Sequence, residues 1–269
     1  MWYVAQLDEE YVGKMEDVLA WYEKPVNPRE PVVCLDEKSV VLHAEVRPVQ
    51  PAAPGREGRR DSKYRRCGTA NVFCGVEPKA GQHFTRVTRT RSAAEFAQMV
   101  GVLADGYPRA RTIHLVMDNL NTHCRKSLTD YYGEKIGARL WKRLTVHHTP
   151  ERGSWLSQAE IEIGLFSRQC LGKRRIPELC GLRTEARAWN RRVSRDRVCI
   201  NWKFDRTFHY NKIRRSWNQH VGILQLGIRA AQDGYYSAQP DRPLGEGGQS
   251  DSDRRLDRAG LHGVERLQQ

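Results

Sequence analysis

Apolar positions along the chain change period, and each change marks an element. Leu7, Tyr11, Met15, Val18 and Trp21 recur at spacings of three and four. That spacing predicts a helix over residues 6–22, which Pro25 and Pro28 close. Pro31-Val-Val-Cys-Leu-Asp36 is a short continuous apolar run closing on a carboxylate, the pattern of a strand buried on both faces. Residues 69–76 and 83–90 predict two more strands, with Pro78 and Gly81 in the hairpin turn between them. Ser92-Ala-Ala-Glu95 reads as a capping box opening a helix with Phe96, Met99, Val100 and Leu103 on one face, and Pro108 stops it. Residues 112–117 predict a fourth buried strand ending at Asp118. A helix over 125–136, a strand over 144–148 and a helix over 155–171 follow. A last helix covers 178–193, with a break at Gly181.

Strands joined by hairpins pair antiparallel, and strands separated by helices pair parallel through crossovers. The predicted fold class is therefore α/β: a mixed five-stranded sheet with helices on both faces, the layout of ribonuclease-H-like folds. Residues 1–30 read as a linker helix preceding a domain over 31–204. Residues 205–269 read as a divergent tail, and low hydrophobicity with alternating charge predicts disorder from 238 on.

The formal net charge is +13, which favours a polyanionic partner. From Gln239 onward five Arg face six Asp and Glu, a net of −1, so the preceding residues carry +14. The stretch Arg56, Arg59, Arg60, Lys63, Arg65 and Arg66 has six cations against two acids in a Pro- and Gly-rich loop over 48–66. It is a candidate for DNA-backbone contact, as is Lys173-Arg174-Arg175 beyond the 155–171 helix; such contacts position DNA without reading its sequence. The seven cysteines are odd in number and contain no C-x-x-C pair, which argues against a disulfide framework and a zinc ribbon. No apolar run spans a bilayer and the N-terminus lacks signal-peptide features. The expected setting is therefore cytoplasmic, at the nucleoid.

Two buried-type strands end in aspartate, Asp36 and Asp118. Ligands of open α/β sheets collect at the carboxyl ends of strands. Neighbouring carboxylates there repel one another, and a hard divalent cation such as Mg²⁺ or Mn²⁺ removes that penalty. A third carboxylate is expected from the 155–171 helix, whose apolar face is Trp155, Leu156, Ala159, Ile163, Phe166 and Cys170. Glu160 and Glu162 flank that face on opposite sides, about 160° apart by the helical period. Periodicity leaves the choice between them open, and Ser157 to Glu160 also fits a capping box. Asn119, Asn121 and His123, on the loop after Asp118, are candidates to orient phosphate or a bound water. As successive strand residues, His147 and His148 face opposite ways.

Val33-Cys-Leu-Asp-Glu-Lys-Ser39, Val116-Met-Asp-Asn-Leu-Asn-Thr-His123 and Gly153-Ser-Trp-Leu-Ser-Gln-Ala-Glu-Ile-Glu-Ile163 resemble the bacterial mariner-like insertion-sequence transposases of the DDE endonuclease superfamily. Gly68-Thr-Ala-Asn71, Ser167-Arg-Gln-Cys-Leu171 and Ala188-Trp-Asn-Arg-Arg192 fit the same family, so the resemblance runs over roughly residues 1–204. It implies a ribonuclease-H-like fold and a site for two Mg²⁺ or Mn²⁺ ions. Asp36 would bridge both ions, while Asp118 and Glu160 would hold one each. It implies hydrolysis of phosphodiesters at transposon ends followed by 3′-OH strand transfer into target DNA, by a homodimer on double-stranded DNA. Relatives carry N-terminal helix-turn-helix modules, so a separately encoded helix-turn-helix part is an expected partner. Two rival readings keep the fold: a non-catalytic DNA-binding remnant, and a nuclease without strand transfer.

Overall fold

In a computed structural model, residues 9–204 are described. A five-stranded sheet in the order β3-β2-β1-β4-β5 forms the centre. β1 (Val32–Glu45), β2 (Tyr64–Glu77) and β3 (Gln82–Thr88) form an antiparallel meander. β4 (Ile113–Met117) adds parallel to β1, and β5 (Leu144–His148) parallel to β4. This is the ribonuclease-H-like mixed sheet that the order of hairpins and crossovers predicted. The tail beyond Phe204 lies outside the described residues.

Alternation along β1 divides two cores. Val33 and Leu35 face one side, where α2 (Ala93–Gly106), α3 (Arg125–Tyr132) and α4 (Glu134–Lys142) supply Phe96, Met99, Leu103, Leu128 and Leu140. Cys34 faces the other, with Val72, Cys74 and Val116. There α1 (Glu9–Glu23), α5 (Ala159–Leu165) and α6 (Leu179–Arg195) bury Met15, Leu19, Ile163, Leu182 and Trp189. α1 thus shares the sheet's own core, and its Tyr22 hydroxyl donates to the Leu156 carbonyl at 2.8 Å.

Several boundaries differ from the sequence expectation. β2 begins at Tyr64 rather than 69, so Arg65 and Arg66, read as loop, lie in a strand that pairs with β1 through Ala44↔Arg65 and His43↔Arg66. β1 runs nine residues past Asp36, because its far half pairs with β2 through Glu45↔Tyr64. The 125–136 helix ends at Tyr132: Gly133 takes a φ of +82°, a conformation side chains resist, and a second helix starts beyond it. The 155–171 helix is three pieces: a 3₁₀ turn over Ser154–Leu156, α5, and a π-helical stretch over Phe166–Leu171. α6 runs through Gly181 without a break. Neither capping box forms: Ser92 caps α2 without a side-chain hydrogen bond, and Gln158, not Ser157, precedes α5.

Candidate active site

Asp36 lies within β1, not at its end. The strand nevertheless loses a neighbour there, since parallel pairing with β4 stops at Cys34↔Val116. Beyond that point β1 pairs only with β2, and a notch opens between β1 and the end of β4. Asp118 follows β4 directly and borders this notch. Glu160 comes from the first turn of α5, an element in contact with β1 and β2.

The charges in the notch act on one another. Burial pushes the Asp36 carboxyl up from 3.8 to about 7; the negative charges of Glu160, Glu37 and Asp118 add to this, and the Glu37 N–H, 2.7 Å from Asp36 Oδ1, opposes it. Glu160 is an exposed residue, yet partial burial of its carboxyl raises it, against the pull of Lys38. Asp118 is open to solvent on one side, its side chain 45% exposed. His123 Nδ1 lies 2.7 Å from Asp118 Oδ1 without the alignment of a hydrogen bond, and His123 Nε2 lies 3.7 Å from Glu37 Oε2. The His123 ring is buried and stacks on Phe96, centroids 4.5 Å apart. Asn119 and Asn121 are exposed.

Glu37 and Lys38 belong to this neighbourhood and were not singled out from the sequence. Their only signal was adjacency to Asp36, which in a strand sends Glu37 to the opposite face; His123 reaches it there from below the notch. His148 Nδ1 sits 3.3 Å from the Asp118 carbonyl, whereas His147 turns to the α1 side. The two histidines therefore do face opposite ways.

Glu162 stands elsewhere. It is fully buried, its Oε1 2.8 Å from His83 Nδ1, and His83 Nε2 lies 2.9 Å from the Val198 carbonyl. The two glutamates that periodicity could not separate thus have different surroundings. Glu160 acts on Asp36, while Glu162 is engaged inside the core.

The donor chemistry of Asp36, Asp118 and Glu160, hard carboxylate oxygens, suits a divalent cation. The side chains do not close a shell as they stand: among the described residues no group of three or more His, Cys, Asp or Glu is arranged to hold a metal ion.

The basic candidates separate as well. Arg60 is paired with Glu45 and bound to the Lys173 carbonyl, and Arg175 holds Glu45 at 2.6 Å plus the carbonyls of Asp61, Ser62 and Lys63. Arg174 pairs with Glu185 at 2.8 Å. These three tie the 46–63 loop and the segment after the π-helical stretch to the body of the domain. Arg56, Arg59, Lys63, Arg65, Arg66 and Lys173 are exposed.

A family model described as DDE superfamily endonuclease matches residues 31–183, more than half of the chain. The chain belongs to that family. Among solved structures it is similar to a Mos1 mariner paired end complex with Mn, at 14% identity and a TM-score of 0.47, covering 88% of this chain and 65% of that one. A pre-cleavage Mos1 transpososome matches at 14% identity and a TM-score of 0.48, covering 90% of this chain and 66% of that one. A Mos1 strand transfer complex matches at 14% identity and a TM-score of 0.43, covering 90% and 65%. The chain thus spans about two thirds of the length of these proteins. No curated protein matches it in sequence. Among the described residues no helix is long and apolar enough to cross a membrane.

Proposed function

We propose that this chain is the catalytic part of a DNA transposase, with Asp36, Asp118 and Glu160 as its acidic residues. Residues 31–204 form the catalytic domain, 1–30 lead into it and 205–269 follow it. The carrying observation is the place of Asp36, where β1 loses β4 as a neighbour beside Asp118 and the first turn of α5; burial pushes its carboxyl up to about 7, and the charges of Glu160, Glu37 and Asp118 add to the rise. Such a cluster is costly alone and favourable around a cation.

Two Mg²⁺ or Mn²⁺ ions, when bound, supply water activation and charge stabilisation at the phosphodiester. Asp36 would hold both, Asp118 and Glu160 one each. The protein's own part is to fix these oxygens: β1 holds Asp36 through the Glu37 N–H, α5 presents Glu160, and His123 lies against Asp118. Lys38, near Glu160, offers a positive charge to the phosphate. Exposed Arg56, Arg59, Lys63, Arg65, Arg66 and Lys173 position the DNA backbone. Asn119 and Asn121, exposed on the loop after Asp118, face substrate or water. The enzyme works as a homodimer on two transposon ends, with end recognition supplied by helix-turn-helix modules.

A second reading, a DNA-binding remnant without turnover, is favoured by one observation: no described acidic group is closed around an ion position. Nicking of supercoiled plasmid separates the two. The transposase reading expects Mg²⁺- or Mn²⁺-dependent nicking that Asp36→Ala abolishes, and joining of a pre-cut transposon end to target DNA. Plasmid left intact at every metal concentration would overturn it; nicking without joining would leave only a nuclease.

A further inference from the structure

Arg183, Arg187 and Arg191 stand at intervals of four along α6, so they share one side of the helix with a rise of about 6 Å between neighbours. All three are exposed. Arg183 and Arg187 line a cleft of about 350 Å³ together with Thr85, Arg86 and Val87 of β3 and Val102 of α2. β3 is an outer strand of the sheet, so the cleft follows an open sheet edge between two helices. The Arg183 Nε–H donates to the Val87 carbonyl at 3.2 Å, which turns the guanidinium toward that edge.

The cleft is rich in donors that lack acceptors. Arg86 contacts Gln98 and lies 3.7 Å from Glu95, but its Nε is buried without a partner, and so is Thr85 Oγ1. Among the described residues Arg183, Arg187 and Arg191 form no ion pair. Arg86, Arg183 and Arg187, permanently charged guanidiniums bordering one cleft, repel each other, and a planar donor fork fits phosphate oxygens. A row about 12 Å long is longer than one phosphate group and suits a chain of them. Thr85 pairs with Cys74 and Cys74 with Asp36, so the cleft and Asp36 lie in one row across three strands, about 10 Å apart along the backbone.

We propose that this cleft holds backbone phosphates of duplex DNA beside the acidic site, with Arg86, Arg183 and Arg187 as the forks and Arg191 extending the row. The proposal rests on the reading of DNA as substrate.

The test is binding of the full chain to a fluorescent random-sequence duplex, followed by anisotropy over a range of NaCl concentrations. Each lost phosphate contact removes about 0.9 from the slope of log affinity against log salt. The paired substitution R183Q/R187Q therefore lowers the slope by about 1.8, with a melting temperature lower by no more than a few degrees, since both side chains are exposed and only the Arg183 bond to the Val87 carbonyl is lost. The control pair R125Q/R139Q removes the same charge from α3 and α4 and shifts the slope by less than about 0.5 on the same scale. An unchanged slope in R183Q/R187Q, or an equal fall in the control, overturns the cleft assignment. Inorganic phosphate at matched ionic strength displaces the duplex no better than chloride; stronger displacement marks a free-anion site and overturns it as well. If the unsubstituted chain shows no salt-dependent affinity for DNA, the proposed function falls first; a steep slope that R183Q/R187Q leaves intact removes the cleft alone.

Discussion

Glu162 and His83 meet with both side chains wholly out of solvent, Oε1 2.8 Å from Nδ1. The pair joins α5 to β3, and through His83 Nε2 and the Val198 carbonyl it also joins the segment after α6. Glu162 Oε2 has no partner, and burial raises this carboxyl while His83 opposes the rise. Removing one member of such a pair leaves a buried polar group alone, which costs about 3 kcal/mol or more. Glu162→Ala is therefore expected to lower the melting temperature by roughly 6 to 12 °C for a domain of this size. Glu160→Ala, at an exposed position, should change stability by no more than about 0.5 kcal/mol and abolish metal-dependent nicking. Calorimetry and plasmid nicking on the two variants check this. Equal thermal losses, or nicking that survives Glu160→Ala, would reverse the roles given to the two glutamates.

The contact between His123 and Asp118 leads to a second expectation. The ring is held flat on Phe96, and one nitrogen faces Asp118 while the other faces Glu37 at a longer distance. A group that orients a ligating carboxylate typically contributes 10- to 100-fold, by order of magnitude, to metal affinity or activity. His123→Ala should weaken Mn²⁺ binding, read by electron paramagnetic resonance, by about that factor. His123→Asn, whose amide nitrogen replaces Nδ1, should recover more of it than His123→Gln, whose amide replaces Nε2. Wild-type Mn²⁺ affinity in His123→Ala would remove the histidine from the site.

Much of this arrangement was legible in the chain. Continuous apolar runs located β1 and β4, because strands buried on both faces need no alternation; their order with respect to hairpins and helices set the sheet. The length of β1 was not legible: its far half, Val40 to Glu45, is half-exposed and held by pairing to a distant segment. Gly133 was read through because a positive φ leaves no mark on hydrophobic period. Glu162 is set apart from Glu160 by His83, 79 positions away in the chain, a contact that no local pattern encodes. Arg60, Arg174 and Arg175 read like their exposed neighbours for the same reason, since Glu45 and Glu185 are partners only in the fold.

Arg175 carries a prediction of its own. It is buried more deeply than the other cations of its run, with a side chain 14% exposed, and closes the 46–63 loop through Glu45 and three backbone carbonyls. Arg175→Ala should free this loop more than it weakens DNA binding. Limited trypsin digestion should then cut at Arg56, Arg59 or Arg60 about tenfold faster, the effect of a local opening made easier by about 1.4 kcal/mol. Arg66→Ala, at an exposed position, should leave the cutting rate unchanged and reduce the salt slope of DNA binding by about 0.9. Loop cutting that is indifferent to Arg175→Ala would show that these contacts do not hold the loop.

Asp36 links the acidic cluster to pH. Its carboxyl is raised from 3.8 to about 7, mainly by burial, with Glu160, Glu37 and Asp118 contributing. The unfolded chain gives up this proton near 3.8 and the folded chain near 7, so between these values the folded state binds more protons. Stability from this group therefore falls as pH rises through that window and stays low above it; below the window both states are protonated and the difference vanishes. Asp36→Asn lacks the charge. In metal-free buffer it should match the unsubstituted protein near pH 4 and exceed it by pH 8, on the order of 2 kcal/mol after discounting the shift for water that still reaches the carboxyl. Mg²⁺ or Mn²⁺ at pH 8 should raise the melting temperature of the unsubstituted protein and leave that of Asp36→Asn nearly fixed, since a ligand stabilises only the state that binds it. A stability gap between the two proteins that is constant from pH 4 to pH 8 would mean that Asp36 is not under the strain its surroundings impose, and a gap untouched by the cation would mean that relief does not come from metal.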